Sequence, residues 1–263
     1  MTMRSVTLPN GMEIVEINKY ETKFLYSEIF IDETYGKYGI EIGVDDVVID
    51  VGANIGMFAL YMNAKFNPKR IYCFEPAPHC IEALSENLKP LGDKAVVLGQ
   101  ALGDGEGEAE FTFYPNYTIM SSMVADKGRD DQVLRAAARS EYERQSGAAA
   151  KDNVVDYLVG RKLEDAQTFK CQVTTLSKVI ETYDIAHIAL AKIDVECAEN
   201  AVLAGIKDEH WPIIDQLFVE VHDQGAGEHE TMRAALEAKG YRVQLVTESN
   251  LENAGVYELI ARR

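Results

Sequence analysis

The apolar run Val47-Val48-Ile49-Asp50-Val51, closed at once by Gly52 and Gly56, constrains this chain more than any other feature. A continuous apolar run of strand length, followed by a glycine turn and a helical pattern over 56–66, describes a strand buried on both faces that hands over to a helix. The handover recurs along the chain. Residues 70–75 form a second strand, and 78–92 read as a helix stopped by Pro90 and Gly92. A third strand covers 94–102, and 107–114 alternate like an edge strand. The helix at 174–183 is capped by Thr174 or Thr175. Strands at 187–196 and 214–222 flank a helix at 198–206. A helix at 229–240, stopped by Gly240, leads to closing strands at 241–246 and 255–263. Apolar strands alternating with helices give a mostly parallel sheet covered on both faces. The loop between the last two strands is too short for a helical crossover, so the final strand runs antiparallel. The expected class is α/β, Rossmann-like, with seven strands in the main sheet.

Two stretches stand outside the alternation. Residues 5–17, around Asn10-Gly11, carry the signal of a two-residue hairpin turn. Residues 20–40 space Phe24, Leu25, Ile29, Phe30 and Tyr35 as an amphipathic cover, so 1–40 is expected to pack over the core. Residues 123–170 are polar, Ala-rich and helical in pattern, with stripes at Val133, Leu134, Ala137 and at Val154, Val155, Leu158, Val159. They show no strand pattern and are expected to form an inserted helical lid. The core is then 41–122 together with 171–263. A length of 263 residues suits one domain with an insertion.

Charge and cysteine usage narrow the function. Lys and Arg number 26 against 43 Asp and Glu, a net charge of −17 that repels phosphate backbones. Nucleic acid is therefore not an expected partner. No run reaches membrane-spanning length, and the first 20 residues contain no apolar stretch like that of a secretory signal. Cys73, Cys80, Cys171 and Cys197 form no CxxC pair, which suits a reducing cytoplasm.

The chemistry-bearing motif is Asp50-Val51-Gly52-Ala53-Asn54-Ile55-Gly56. Its Gly-x-x-x-Gly spacing is not the GxGxxG of a dinucleotide fold. Its glycines allow close approach of a ligand to the backbone, and an acid at the strand end suits a ligand ammonium better than a phosphate. S-adenosylmethionine carries such an ammonium. Glu75 ends the second strand, where an acid can accept from both ribose hydroxyls.

Taken in order, VIDVGANIGMFAL, CFEPAPHCIEALSENL, QALGDGEGEAEFTFY, TTLSKVIE and KIDVECAENAVLAGI resemble the FkbM-type S-adenosylmethionine-dependent methyltransferases over 5–115 and 172–263. The family plan has Gly where this chain has Cys197. The segment 111–126 followed by a long insert resembles the O-methyltransferases of polyketide and nonribosomal peptide assembly lines. The resemblance implies a cofactor cradle at Asp50, Gly52, Asn54 and Gly56, a ribose holder at Glu75, an adenine border at Ala101 and Leu102, and closure by Asn116, Ser121 and Ser122. It also implies a hydroxyl of a polyketide-type acyl chain as acceptor, delivered on an acyl carrier protein.

A hydroxyl acceptor needs a base, and histidine is the natural one. Strand alternation puts Glu220 and His222 on one face, and Asp194 and Glu196 on one face of the neighbouring strand. His222 is expected to act as the base, oriented by Glu220 or Asp194, with Glu196, Tyr35 and Tyr114 lining the acceptor site. Asp194, Glu196, His222 and Asp223 could also hold a divalent metal, a reading that no tight ligand spacing favours. His79, His187, His210 and His229 read as surface residues. An acidic carrier would dock on Arg135, Arg139, Arg144, Arg161 and Lys162. The alternatives are a methyltransferase of sugar hydroxyls or amines, and a catalytically silent cofactor-binding scaffold.

Overall fold

The structure, a computed structural model, describes residues 3–223, 225–247 and 255–263. The chain opens with a ribbon, β1 (Arg4–Thr7) and β2 (Glu13–Glu16), paired from Arg4↔Glu16 to Thr7↔Glu13. Residues 8–12 form the connection, so Asn10-Gly11 sits inside a five-residue loop rather than a two-residue turn. Leu8 and Met12 close that loop with a backbone hydrogen bond, and Gly11 takes its left-handed position at φ 86°. Next come α1 (Lys19–Tyr26), capped by the Asn18 side chain, a π-helical turn at Ser27–Ile31, and a short 3-10 turn at Thr34–Gly36.

The core then follows the expected alternation: β3 (Val47–Val51), α2 (Met57–Lys65), β4 (Arg70–Phe74), α3 (Pro78–Leu88) and β5 (Ala95–Leu98). β6 (Ala101–Leu102) and β7 (Gly107–Phe113) precede the insertion helices α4 (Lys127–Ser146) and α5 (Asp152–Leu163). β8 (Gln167–Thr174), α6 (Leu176–Tyr183), β9 (Leu190–Ile193), α7 (Glu199–Ala204), β10 (Gln216–His222), α8 (Glu228–Ala238), β11 (Arg242–Val246) and β12 (Val256–Arg262) complete the chain. The main sheet runs β11-β12-β10-β9-β3-β4-β5, with β12 antiparallel to both neighbours. This is the seven-stranded Rossmann-like arrangement.

Strand alternation divides the core. Ile49, Val51, Tyr72 and Phe74 face α6, α7 and α8; Val48, Ile71 and Cys73 face α2, α3 and the N-terminal cover. Asp50 lies in this second set, beside Cys73 and Lys192 in register, and is fully buried.

Three sequence expectations change here. Residues 94–102 are two strands, because the chain leaves the main sheet after Leu98. β7 is no edge of the main sheet; it pairs antiparallel with β8 in a separate three-stranded sheet, β6-β8-β7. β8 itself starts inside the stretch expected to hold only helix. Its alternation of Phe169, Cys171 and Val173 buries against Phe111, Phe113, Ala77 and Cys80. The insertion is thus the long connection of a hairpin. α4 and α5 pack through Leu134, Ala138, Val155 and Val159 onto Tyr114 and Met120.

Candidate functional site

A cleft opens at the C-terminal ends of β3, β4 and β9, enclosing about 860 Å³ of space, part of it open to solvent. Open α/β sheets place their ligands at such strand ends. Its floor is the turn after β3. Gly52 sits at φ 79°, and a Cβ there would lie 1.9 Å from the Asp194 carbonyl oxygen. Only glycine fits that approach of two strand ends. Asn54 is left-handed at φ 48°, and its side-chain oxygen accepts from the Ile55 N–H at 2.8 Å. Gly56 (φ 90°) instead faces α3: its missing Cβ would strike Leu84 at 2.8 Å.

Glu75 closes one side. Its Oε2 accepts from the Asn54 N–H at 2.9 Å and its Oε1 from the Ala77 N–H at 2.8 Å. Burial pushes its carboxyl up to about 7, against those two N–H groups. Ala101, Leu102 and Phe111 form an apolar wall nearby, and Leu25, Ile29, Tyr35 and Phe58 form the opposite one. Tyr35 is held edge-on by Phe58 and Phe218 at ring separations of 4.8 and 4.7 Å.

Asp50 is not in the cleft wall. Lys192, which is, stands between Asp50 and Asp194 at 3.4 and 3.3 Å and donates to the Gly52 carbonyl at 2.8 Å. Burial opposes the Lys192 charge, yet the two carboxylates hold its pKa above the ordinary value. The ammonium that the Asp50 carboxylate was expected to meet is therefore supplied by the chain itself. Asp194 and Glu196 do reach the cleft.

His222 joins Glu196 from behind. Its Nε2 lies 3.2 Å from Glu196 and 3.4 Å from Glu220, and its Nδ1 lies 2.8 Å from Glu199. Burial works against its charge, but these three carboxylates raise its pKa well above the ordinary value. The ring expected from the sequence to be oriented by Glu220 or Asp194 faces Glu199 on Nδ1 and both Glu196 and Glu220 on Nε2. Burial, with Asp194, Glu220 and Glu199 nearby, lifts Glu196 to about 8 against the pull of His222. Glu220 is raised too, by burial and Asp194. Three acids around one imidazole form a group with high proton affinity, and Glu196 is the member of the three that lines the cleft.

Other expected residues lie elsewhere. Tyr114 is buried under the insertion, its hydroxyl donating to Asp130 at 2.7 Å, away from the cleft wall. Asn116 bridges Asn18 and the Glu164 carbonyl. Ser122 is buried, donating to the Glu196 carbonyl, while Ser121 reaches the cleft. Asp223 accepts from the Gly225 N–H at 2.7 Å and pairs with His229, which stacks on Tyr257 rather than standing on the surface. It thus leaves the tentative metal set. Among the described residues the only cluster with metal-ligand spacing is Glu181, Glu209 and His210, outside the cleft. On the insertion, Arg135 pairs with Asp131 and Asp156, Arg139 with Asp152, and Arg161 with Glu164. Lys162 lies over the Tyr117 ring, and the Arg144 side chain is outside the described residues.

Sequence reasoning missed Lys192, Glu199, Thr118 and Glu21. A lysine inside the apolar run Ile188–Ile193 was the one signal available for Lys192. No helix among the described residues is long and apolar enough to cross a membrane.

A family model described as the methyltransferase FkbM domain matches residues 50–243. The 31-O-demethyl-FK506 methyltransferase FkbM of Streptomyces tacrolimicus is 35% identical over 261 residues, covering 99% of this chain and 97% of that protein. The AMB antimetabolite synthetase AmbE of Pseudomonas aeruginosa is 34% identical over 264 residues, 98% of this chain but 12% of the synthetase. The methyltransferase sdnD of Sordaria araneosa is 31% identical over 241 residues, 86% of this chain and 85% of that protein.

Proposed function

From the premise that the chain belongs to the FkbM methyltransferase family, with S-adenosylmethionine as methyl donor, we propose that it methylates a hydroxyl of a natural-product intermediate. The observation that carries the acceptor class is the Glu196–His222 pair at the cleft wall. An aliphatic hydroxyl must lose a proton as its oxygen is methylated, and this pair offers an acceptor matched to near-neutral pH.

The cleft fits the cofactor on its own features. Gly52 leaves the backbone open, Glu75 presents a buried carboxylate towards ribose hydroxyls, and Ala101, Leu102 and Phe111 give a flat apolar wall for a purine. The Asp194 carboxylate favours a cationic ligand. The cofactor supplies the reactive methyl group when bound. The chain's own part is alignment and proton removal. Lys192 fixes Asp194 and the Gly52 carbonyl. Glu196 takes the hydroxyl proton, and His222 holds the Glu196 carboxylate in place. Tyr35, Leu25 and Ile29 exclude water from the acceptor side.

The relatives' names support a natural-product hydroxyl: one is a 31-O-demethyl-FK506 methyltransferase and another an AMB antimetabolite synthetase. A carrier-tethered acyl chain is the delivered form in this reading, although Arg135, Arg139 and Arg161 are already paired. Methyl transfer from deuterated cofactor to hydroxyacyl pantetheine thioesters and to free hydroxy compounds, followed by mass spectrometry, tests it. A +17 Da product on a hydroxyl is expected, from the gain of CD3 for H, and Glu196→Gln should lower kcat about 100-fold with S-adenosylhomocysteine binding unchanged. Product on nitrogen, or full turnover by Glu196→Gln, overturns the reading.

A further inference from the structure

Two segments outside the sheet wall the front of the cleft. Leu25 and Ile29 come from α1 and the turn after it; Ile119 and Ser121 come from the stretch after β7. Both are tied to the glycine turn by one continuous run of hydrogen bonds. The Thr118 N–H donates to Glu21 Oε2 at 3.0 Å, and the Thr118 hydroxyl donates to the same oxygen at 2.6 Å. That hydroxyl also accepts from Asn54 Nδ2 at 2.9 Å. Asn54 in turn donates its N–H to Glu75. Glu21 and Thr118 are 5% and 4% exposed, so water does not substitute for these contacts. Leu25 lies one turn beyond Glu21 on the same face of α1, and Ile29 follows in the π-helical turn that continues it. The position of Glu21 therefore sets how far those two side chains reach over the cleft. α1 lies outside the residues matched by the family model, 50–243.

We propose that Glu21 and Thr118 are positioning residues of the cofactor site: they hold Asn54 in its left-handed pose and clamp α1 and residues 118–123 over the cleft. A ligand beneath the clamp leaves when the Glu21–Thr118 contact parts, so the contact governs cofactor exchange. The inference rests on reading the cleft as the S-adenosylmethionine site.

Stopped-flow displacement of S-adenosylhomocysteine from the whole chain tests it. Thr118→Val keeps the shape and removes both hydroxyl contacts; its dissociation rate should rise about tenfold. Thr118→Ser restores the hydroxyl and should return the rate to within about twofold of the parent. Ser177→Ala removes a buried hydroxyl on α6 that accepts from the Lys207 N–H, and should leave the rate unchanged while costing similar stability. Should Thr118→Val fail to fold, Glu21→Met carries the same expectation. A Thr118→Val rate within about twofold of the parent overturns the clamp, as does equal acceleration by Ser177→Ala. If the parent protein binds no S-adenosylhomocysteine, the cofactor reading itself fails and the clamp with it.

Discussion

Cys197 stands at φ 73°, directly after Glu196 at φ 51°. Two consecutive side-chain-bearing residues in the left-handed region turn the chain sharply after β9, and that turn brings Glu196 to the cleft. Such a conformation costs about 1–2 kcal/mol for a residue with a Cβ. Glu196 carries a carboxylate that faces His222, whereas glycine stands at the second position in the family plan. Cys197→Gly should therefore stabilise the chain by about 0.5–1 kcal/mol, after the extra entropy of glycine in the unfolded chain. The check is a higher urea midpoint with an unchanged m-value. Glu196 itself yields a pH prediction. Asp194, Glu199, Glu220 and His222 all face it, and the balance leaves its carboxyl at about 8. Only the ionised form accepts a proton, so kcat/KM should rise with pH up to about 8 and then level. Glu196→Gln should lose that rise along with most of the rate. A parent profile flat between pH 6 and 8.5 would move the base elsewhere.

At the scale of elements, the decisive contact joins β3 to β9. Asp50 and Lys192 are register partners on adjacent strands, and neither Asp50 oxygen has a hydrogen-bond partner among the described residues. Removing the lysine leaves a buried carboxylate without its counter-charge. Lys192→Met should cost about 3–5 kcal/mol in urea unfolding, and Asp50→Asn in the same chain should recover most of the loss. Equal losses in the single and double variants would show that packing, not charge, is what Lys192 supplies. This pair also marks where sequence legibility ended. β3, β4 and their helices were readable because each is a local apolar run with its own punctuation; the cap of α6 was readable as Thr174 or Thr175, and it is the Thr175 hydroxyl that accepts from the Lys178 N–H. β8 was missed because Phe169, Cys171 and Val173 give a weak alternation until β7 supplies the partner. The pairing of Asp50 with Lys192 spans 142 positions in sequence, and Glu21 reaches Thr118 across 97. Gly52 and Glu75 were legible as residues of the cleft; Tyr114, Asn116 and Ser122 were not separable by type from residues that serve packing.

For the molecule as a whole, the buried acids set an unusual pH response. Glu21 and Glu75 are pushed up to about 7 and Glu196 to about 8, each chiefly by burial. An acid whose folded pKa lies above its unfolded value keeps its proton in the folded state over the interval between them. The folded state then binds more protons than the unfolded one, so stability falls as pH rises from about 4.5 towards 8. His222 acts in the same direction. Its folded pKa is raised by Glu196, Glu199 and Glu220, so the stability it contributes is complete below about 6.5 and is lost as pH climbs through the folded value. The net charge of −17 adds self-repulsion that grows as acids ionise. The melting temperature should therefore be higher at pH 5.5–6 than at pH 8. Each kcal/mol of this linkage moves the midpoint by about 2–4 °C in a chain of this size. S-adenosylhomocysteine should raise the midpoint at both pH values by mass action on the folded state. Melts at both pH values, with and without that ligand, decide the matter. A midpoint that rises steadily with pH would mean that the paired surface acids, not the buried cleft acids, dominate the titration.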